Sequence, residues 1–227
     1  MKCVKCNSEN KVKRGFVKGK QRFTCKDCGY NYTVEQKTTA KSNSTKRQAL
    51  QMYLEGLGFR SIGRILNVSH VSVYNWIKSF GSKVEDIKSG SEVDIVEIDE
   101  MHSYVGDKKN YCWIWIAVDR LGKRFINFVV GDRSSTTGIE LWNRIKEKDI
   151  GMVATDYWKA YNQFVPDEIH VQSKAETFTV EGYNSLFRHF LARMRRKTKC
   201  YSKSIDRLRE AMAMLILKRN NQLDILN

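Results

Sequence analysis

Three observations predict a multidomain chain with an all-α middle and an α/β body. Two C-x-x-C pairs stand near the N-terminus, Cys3 with Cys6 and Cys25 with Cys28. Helical periodicity fills residues 47–80, and from residue 93 onward strand-like runs come in succession and then alternate with helical ones. The chain therefore reads as a small four-cysteine zinc ribbon over 1–35, a linker over 36–46 and a helix-turn-helix over 47–80. A second linker over 81–92 leads to an α/β domain with a mixed sheet over 93–227.

Composition sets the outer limits. A chain of 227 residues with 41% hydrophobic content can bury a core of ordinary size. It holds no apolar run long enough to span a bilayer, and the opening MKCVKCNSEN lacks the apolar centre of a signal peptide, so the expectation is a cytoplasmic protein with no membrane partner. The net charge is +15, with basic ends around an acidic middle, which points to a polyanion and to nucleic acid first.

In the first module each C-x-x-C turn aims two thiolates at one point, and two such turns complete a tetrahedral Zn²⁺ site. The intervening KVKRGFVKGKQRFTC alternates apolar and basic residues as two short strands would. So few apolar residues hardly fold alone, so the metal is structural; a pair of disulfides is the alternative. Cys112 and Cys200 stand apart and read as packing residues.

The linker QKTTAKSNSTK is polar and unpatterned. After it, Ala49, Leu50, Tyr53 and Leu54 mark one helix, residues 61–66 a second, and Ser69 is placed as the N-cap of a third. On that third helix His70, Ser72, Asn75 and Lys78 are expected to face DNA, with Val71, Tyr74 and Ile77 packing inward. A trihelical packing unit explains the bare pattern nearly as well.

Beyond residue 93 three strands are expected at 93–100, 111–119 and 124–130, then a helix at 135–148. A buried strand at 151–155, a short helix at 158–164, another short strand at 168–172 and two basic helices near 179–197 and 203–220 follow. Three strands in a meander followed by alternating strands and helices is the order of a ribonuclease H-like fold.

The stretch DIVEIDEMHS crowds Asp94, Glu97, Asp99 and Glu100 into a basic chain. Alternation along a strand puts Glu97 and Asp99 on one face, with Val96 and Ile98 on the other. In the expected order the strand ending at Thr155 lies parallel to the first, bringing Asp156 to its end near Asp99, where open α/β sheets bind ligands. Carboxylates forced together disfavour ionisation unless a cation joins them, and their oxygens suit Mg²⁺ or Mn²⁺. Solvated acids at strand ends are the alternative.

The residues IDEMHSYVG, AVDRLGKR, TDYWKAY and VEGYNSLFRHFLARMRRKTKCYSKS resemble the catalytic region of insertion sequence 1 family transposases, and the four-cysteine ribbon with its helix-turn-helix is similar to the N-terminal module of that family. The resemblance covers nearly the whole chain. It implies a DDE site of two metal ions on a ribonuclease H-like domain, with Asp99 and Asp156 as the aspartates and Glu181 as the glutamate. It favours Asp99 over Glu97 and Glu100, and leaves Asp119 as a turn residue. Asn184, one turn after Glu181, is placed to support the site. Arg188, His189, Arg193, Arg195, Arg196 and Lys197 extend along or just after that helix as phosphate contacts, or as a solvated basic face. Trp158 reads as core, with stacking on an unpaired base as the other use.

What the resemblance implies is a transposase that binds terminal inverted repeats in double-stranded DNA, cuts the strand and joins the freed 3′-hydroxyl to target DNA, acting as at least a dimer. Two other readings stay open: a DNA-binding regulator without catalysis, and a metal-dependent nuclease that does not join.

Overall fold

The computed structural model describes residues 1–33, 40–84, 86–198 and 200–224, which fall into two compact units, Met1–Ser42 and Asn43–Asn227. Residues 34–39, which take in the end of the expected ribbon and the start of the expected linker, lie outside the described residues.

In the first unit β1 (Lys11–Val17), β2 (Lys20–Cys25) and β3 (Asn31–Thr33) form an antiparallel sheet in that order. Lys18 and Gly19 join β1 to β2 with positive φ at both positions, the mirror-image turn that matches strand twist. Its buried core is small: Cys3, Cys25 and Tyr32, with Phe23 and Cys28 packed beside them.

The second unit opens with α1 (Asn43–Leu54), α2 (Phe59–Ile65) and α3 (His70–Gly81). The first helix starts inside the expected linker, because polar Asn43, Ser44, Thr45 and Lys46 continue the helical turn that carries Ala49, Leu50, Tyr53 and Leu54 into the core. Ser69 caps α3 by accepting from the Val71 N–H at 3.2 Å.

Five strands follow: β4 (Glu92–Val105), β5 (Asp107–Asp119), β6 (Arg124–Gly131), β7 (Asp149–Thr155) and β8 (His170–Gln172), with α4 (Ser135–Ile145) between β6 and β7. The sheet runs β6-β5-β4-β7-β8, antiparallel from β4 to β6 and parallel from β4 to β8, which is the ribonuclease H-like arrangement. β4 and β5 are longer than the apolar runs suggested. They pair out to Tyr104 and Tyr111 and turn at Gly106, whose φ of +75° an L side chain would resist. The short helix expected at 158–164 is a 3₁₀ turn, Lys159–Gln163.

The chain closes with α5 (Phe178–Phe190) and α6 (Ile205–Arg219). The helix expected to reach Lys197 stops at Phe190: Leu191 turns extended (φ −117°, ψ 110°) to bury its side chain, and a 3₁₀ turn, Ala192–Met194, follows. No glycine or proline marks that stop.

Two cores lie on the two faces of the sheet. On one, Val96, Ile98, Trp115, Ile126 and Val153 pack under α4 with Tyr161 and Val165. On the other, Ile114, Ile116 and Val118 meet Val180 and Phe187 of α5 and Leu208, Met212 and Leu215 of α6, together with Leu50, Leu54, Ile62 and Ile77 of the three N-terminal helices. Helix α6 buries seven residues because it is covered from both sides, by the sheet and by these helices. The helix-turn-helix and the α/β body therefore share one core.

Candidate functional site

Three of the four acids in DIVEIDEMHS have separate explanations. Glu97 is fully buried, and its Oε1 accepts from Arg120 Nε at 2.6 Å. Its Oε2 accepts from the Val180 N–H at 2.8 Å, which caps the first turn of α5, where the Thr177 side chain makes no cap. Arg120 goes on to Glu176, through Oε2 at 2.7 Å and the backbone carbonyl at 2.5 Å. Glu100 points to the opposite face, where Arg133 donates to its Oε1 through Nε (2.9 Å) and Nη2 (2.7 Å), and the Tyr161 hydroxyl donates to Oε2 at 2.6 Å. Asp94 is exposed.

Asp99 differs. It shares the Glu97 face, and its Oδ2 accepts from Asn184 Nδ2 at 2.6 Å, but among the described residues no cation reaches salt-bridge distance. Burial first, and then the charges of Glu100 and Asp156, push its carboxyl up to about 6. Asp156 follows β7, half-buried, and its Oδ1 accepts from the Trp158 N–H at 2.9 Å. Glu181 lies exposed in the first turn of α5, and neither it nor Asp156 has a cationic partner among the described residues. Asp119, the other acid of the region, closes its turn by accepting from Gly122 N (2.8 Å) and Arg124 Nε (2.9 Å).

This donor set fits a hard divalent cation. Among the described residues three oxygen-bearing side chains are left without an arginine, one of them carries a carboxyl held up by burial and then by its neighbours, and the second amide atom of Asn184, Oδ1, is buried with no hydrogen-bond partner. Among the described residues the one group of three or more His, Cys, Asp or Glu side chains that could hold a metal ion is Cys3, Cys6, Cys25 and Cys28, whose ligand atoms lie within 4.8 Å of one another. Those four are free thiols, with Cys3 and Cys28 sulfurs 3.6 Å apart and Cys6 and Cys25 also 3.6 Å apart, so the disulfide alternative is not what the fold adopts. Their convergence can hold one metal ion.

Helix α3 is rotated relative to the sequence expectation. Val73 and Ile77 are its buried residues, with Trp76 and Phe80 packed against the core, whereas Val71 is 51% exposed and Tyr74 37%. The outer face thus carries His70, Val71, Tyr74, Asn75 and Lys78, and Ser72 is half-buried. Tyr74 stands edge-on to Phe59, which fixes its ring beside the turn.

Of the basic residues expected after Glu181, Arg195, Arg196 and Lys197 are exposed and Arg188 is half-buried. Burial and then Arg196 lower the Arg188 guanidinium, which Asp99 partly offsets. Arg193 turns inward instead: it donates to Ser202 Oγ (3.1 Å) and to the Arg207 carbonyl (2.6 Å) and lies over the Tyr53 ring. Trp158 packs against Trp115 and Tyr161, and the Arg133 guanidinium sits over both Trp158 and Trp113. Sequence reasoning missed Arg120 and Arg133 as partners of the acids. The one signal was position, an arginine directly after Asp119, which ends β5, and another directly after Asp132, which follows β6.

The sheet order and the helix-turn-helix define the class as a ribonuclease H-like protein with a DNA-binding module in front. The family described as IS1 transposase matches residues 93–221, and a homeodomain-like domain matches residues 41–88. The chain belongs to the IS1 transposase family. It is 36% identical over 121 residues to insertion element IS1 4 protein InsB of Escherichia coli (strain K12), covering 53% of this chain and 72% of that protein. Among solved structures it is similar to the Mos1 mariner paired end complex with Mn, at 11% identity and a TM-score of 0.33 over 85% of this chain and 79% of that one. A chain of the simian T-cell lymphotropic virus intasome in complex with PP2A regulatory subunit B56 gamma also matches, at 14% identity and a TM-score of 0.33 over 63% of this chain and 58% of that one. No helix among the described residues is long and apolar enough to cross a membrane.

Proposed function

We propose that the chain is a DNA transposase that cuts the phosphodiester at a mobile element's end and transfers the freed 3′-hydroxyl to target DNA. The observation that carries this reading is the sorting of the acids: among the described residues Glu97, Glu100 and Asp119 each hold an arginine, while Asp99, Asp156 and Glu181 hold none. Asp99, Asp156 and Glu181 would hold two divalent ions, Mg²⁺ or Mn²⁺, which supply activation of a water or a 3′-hydroxyl and stabilisation of the leaving oxygen. Asn184 fixes the Asp99 carboxylate through its amide N–H, and its buried Oδ1 is left unpartnered among the described residues. Glu97 sets the start of α5 and hence the reach of Glu181.

The outer face of α3 reads the terminal inverted repeats in the major groove, with His70, Ser72, Asn75 and Lys78 at the DNA and Val71 and Tyr74 added to them. Arg188, Arg195, Arg196 and Lys197 hold phosphates beside the acids. Cys3, Cys6, Cys25 and Cys28 bind one structural Zn²⁺. Pairing two element ends requires at least a dimer.

The test is a strand-transfer reaction in Mg²⁺ or Mn²⁺ with linear DNA carrying the element end, a supercoiled target, and the Asp99→Ala protein in parallel. Joined products that vanish in the variant are expected. Cleavage without joining would make the chain a nuclease, and binding with neither reaction would make it a regulator.

A further inference from the structure

Beyond the acids, the outer half of the β4–β5 hairpin and the segment after α5 enclose a groove of about 310 Å³. Its walls include the rings of His102, Tyr104 and Tyr201 and the cations Arg188, Arg196 and Lys197. The walls are tied together: Val105 bridges to Ser202, the Gly106 N–H donates to the Ser202 carbonyl at 2.8 Å, and Lys203 Nζ donates to the Gly106 carbonyl at 3.2 Å. Tyr104 and Tyr201 meet edge to face with centroids 6.3 Å apart, and the His102 ring stands 5.9 Å from Tyr104.

Two features say what enters. Among the described residues no carboxylate pairs with Arg188, Arg196 or Lys197, so the groove carries unbalanced positive charge. The His102 imidazole registers it, being lowered by burial first and then by Arg188, Arg196 and Arg133. An acidic peptide or a duplex backbone would answer the cations but leave the rings idle, and a volume this small excludes a duplex. A nucleobase with its own phosphate uses both walls, because every base offers a face to stack and a flanking charge.

We propose that this groove holds one unpaired nucleotide of the DNA next to the cut bond, its base against Tyr104 and Tyr201 and its phosphate on Arg196 and Lys197. The inference rests on the transposase reading for the identity of that DNA. Binding such a nucleotide splays the end of the duplex.

The test uses the full chain and a short duplex ending in a single unpaired 2-aminopurine nucleotide, with the blunt duplex as the comparison. Stacking is expected to quench the fluorophore in the wild-type complex, and the preference for the unpaired end should fall about tenfold when Tyr104→Ala and Tyr201→Ala are combined. Affinity for the blunt duplex should not change, and Tyr104→Phe, which keeps the ring, should keep the quench. Quenching that survives the double substitution, or equal loss on both duplexes, would overturn the proposal. Ring-dependent quenching in a protein that transfers no strand would uphold the groove and remove the transposase reading; strand transfer without quenching would do the reverse.

Discussion

At the scale of single residues, neighbouring acids of one strand contribute to stability with opposite signs. Removing Glu97 takes the fully buried carboxylate from Arg120 Nε, leaving the guanidinium, 13% exposed, with Glu176 alone, and strips the Val180 N–H of its partner. Glu97→Ala is therefore expected to cost about 3–5 kcal/mol in denaturant unfolding. Asp99 behaves otherwise. Its folded value of about 6 lies above the 3.8 of an ordinary aspartate, so at neutral pH the ionised carboxylate opposes folding, and that cost fades as the pH falls from about 6 toward 4. Asp99→Asn should raise the stability of the metal-free protein by about 2 kcal/mol or less, with the gap narrowing when Mg²⁺ is added. A variant less stable than wild type would show that the Asn184 hydrogen bond outweighs the crowding. The alternation of DIVEIDE places Glu97 and Asp99 on one face from sequence alone. Which of the two is free is not legible there, because the deciding arginine is Arg120, which follows β5 and is brought back beside Glu97 by the antiparallel pairing of β5 with β4.

At the scale of elements, the strands and their order follow from period and length, and the ends of helices do not. Helix α5 stops at Phe190 because burying Leu191 outweighs one more helical turn, a balance that depends on tertiary contacts no local signal encodes. The inward face of α3 departs from the sequence expectation for a related reason. Val71 is apolar but lies outward, since Val73 and Ile77, with Trp76 and Phe80, already fill the contact with the core. The shared core makes a sharper prediction. Leu50→Ala in α1 removes a fully buried side chain and should cost about 2–5 kcal/mol. Because Leu50 and Leu215 of α6 belong to the same cluster, the loss should lower one cooperative transition of residues 43–227. A separate early melting of the three N-terminal helices would show that they are an independent domain.

At the scale of the whole molecule, the two units differ in what holds them. The first buries little besides Cys3, Cys25 and Tyr32, so the proposed Zn²⁺ supplies most of its folding free energy. Chelation should abolish amide protection within residues 1–33 and leave protection in the sheet from β4 to β8 intact, a contrast that hydrogen exchange can read directly. Retained protection in the chelated protein would show that the ribbon folds without metal. The two C-x-x-C pairs make this unit legible at once, whereas the sharing of one core between α1–α3 and α6 is hidden behind a polar stretch that reads as a plain linker.

That shared core also bears on how such a gene can be expressed. A shortened product ending near residue 90 would keep α1, α2 and α3 but lose α6 and the sheet, leaving Leu50, Leu54, Ile62 and Ile77 without the surface that covers them. Such a fragment would be a substrate for chaperones and proteases, or would have to borrow a full-length neighbour as its missing half.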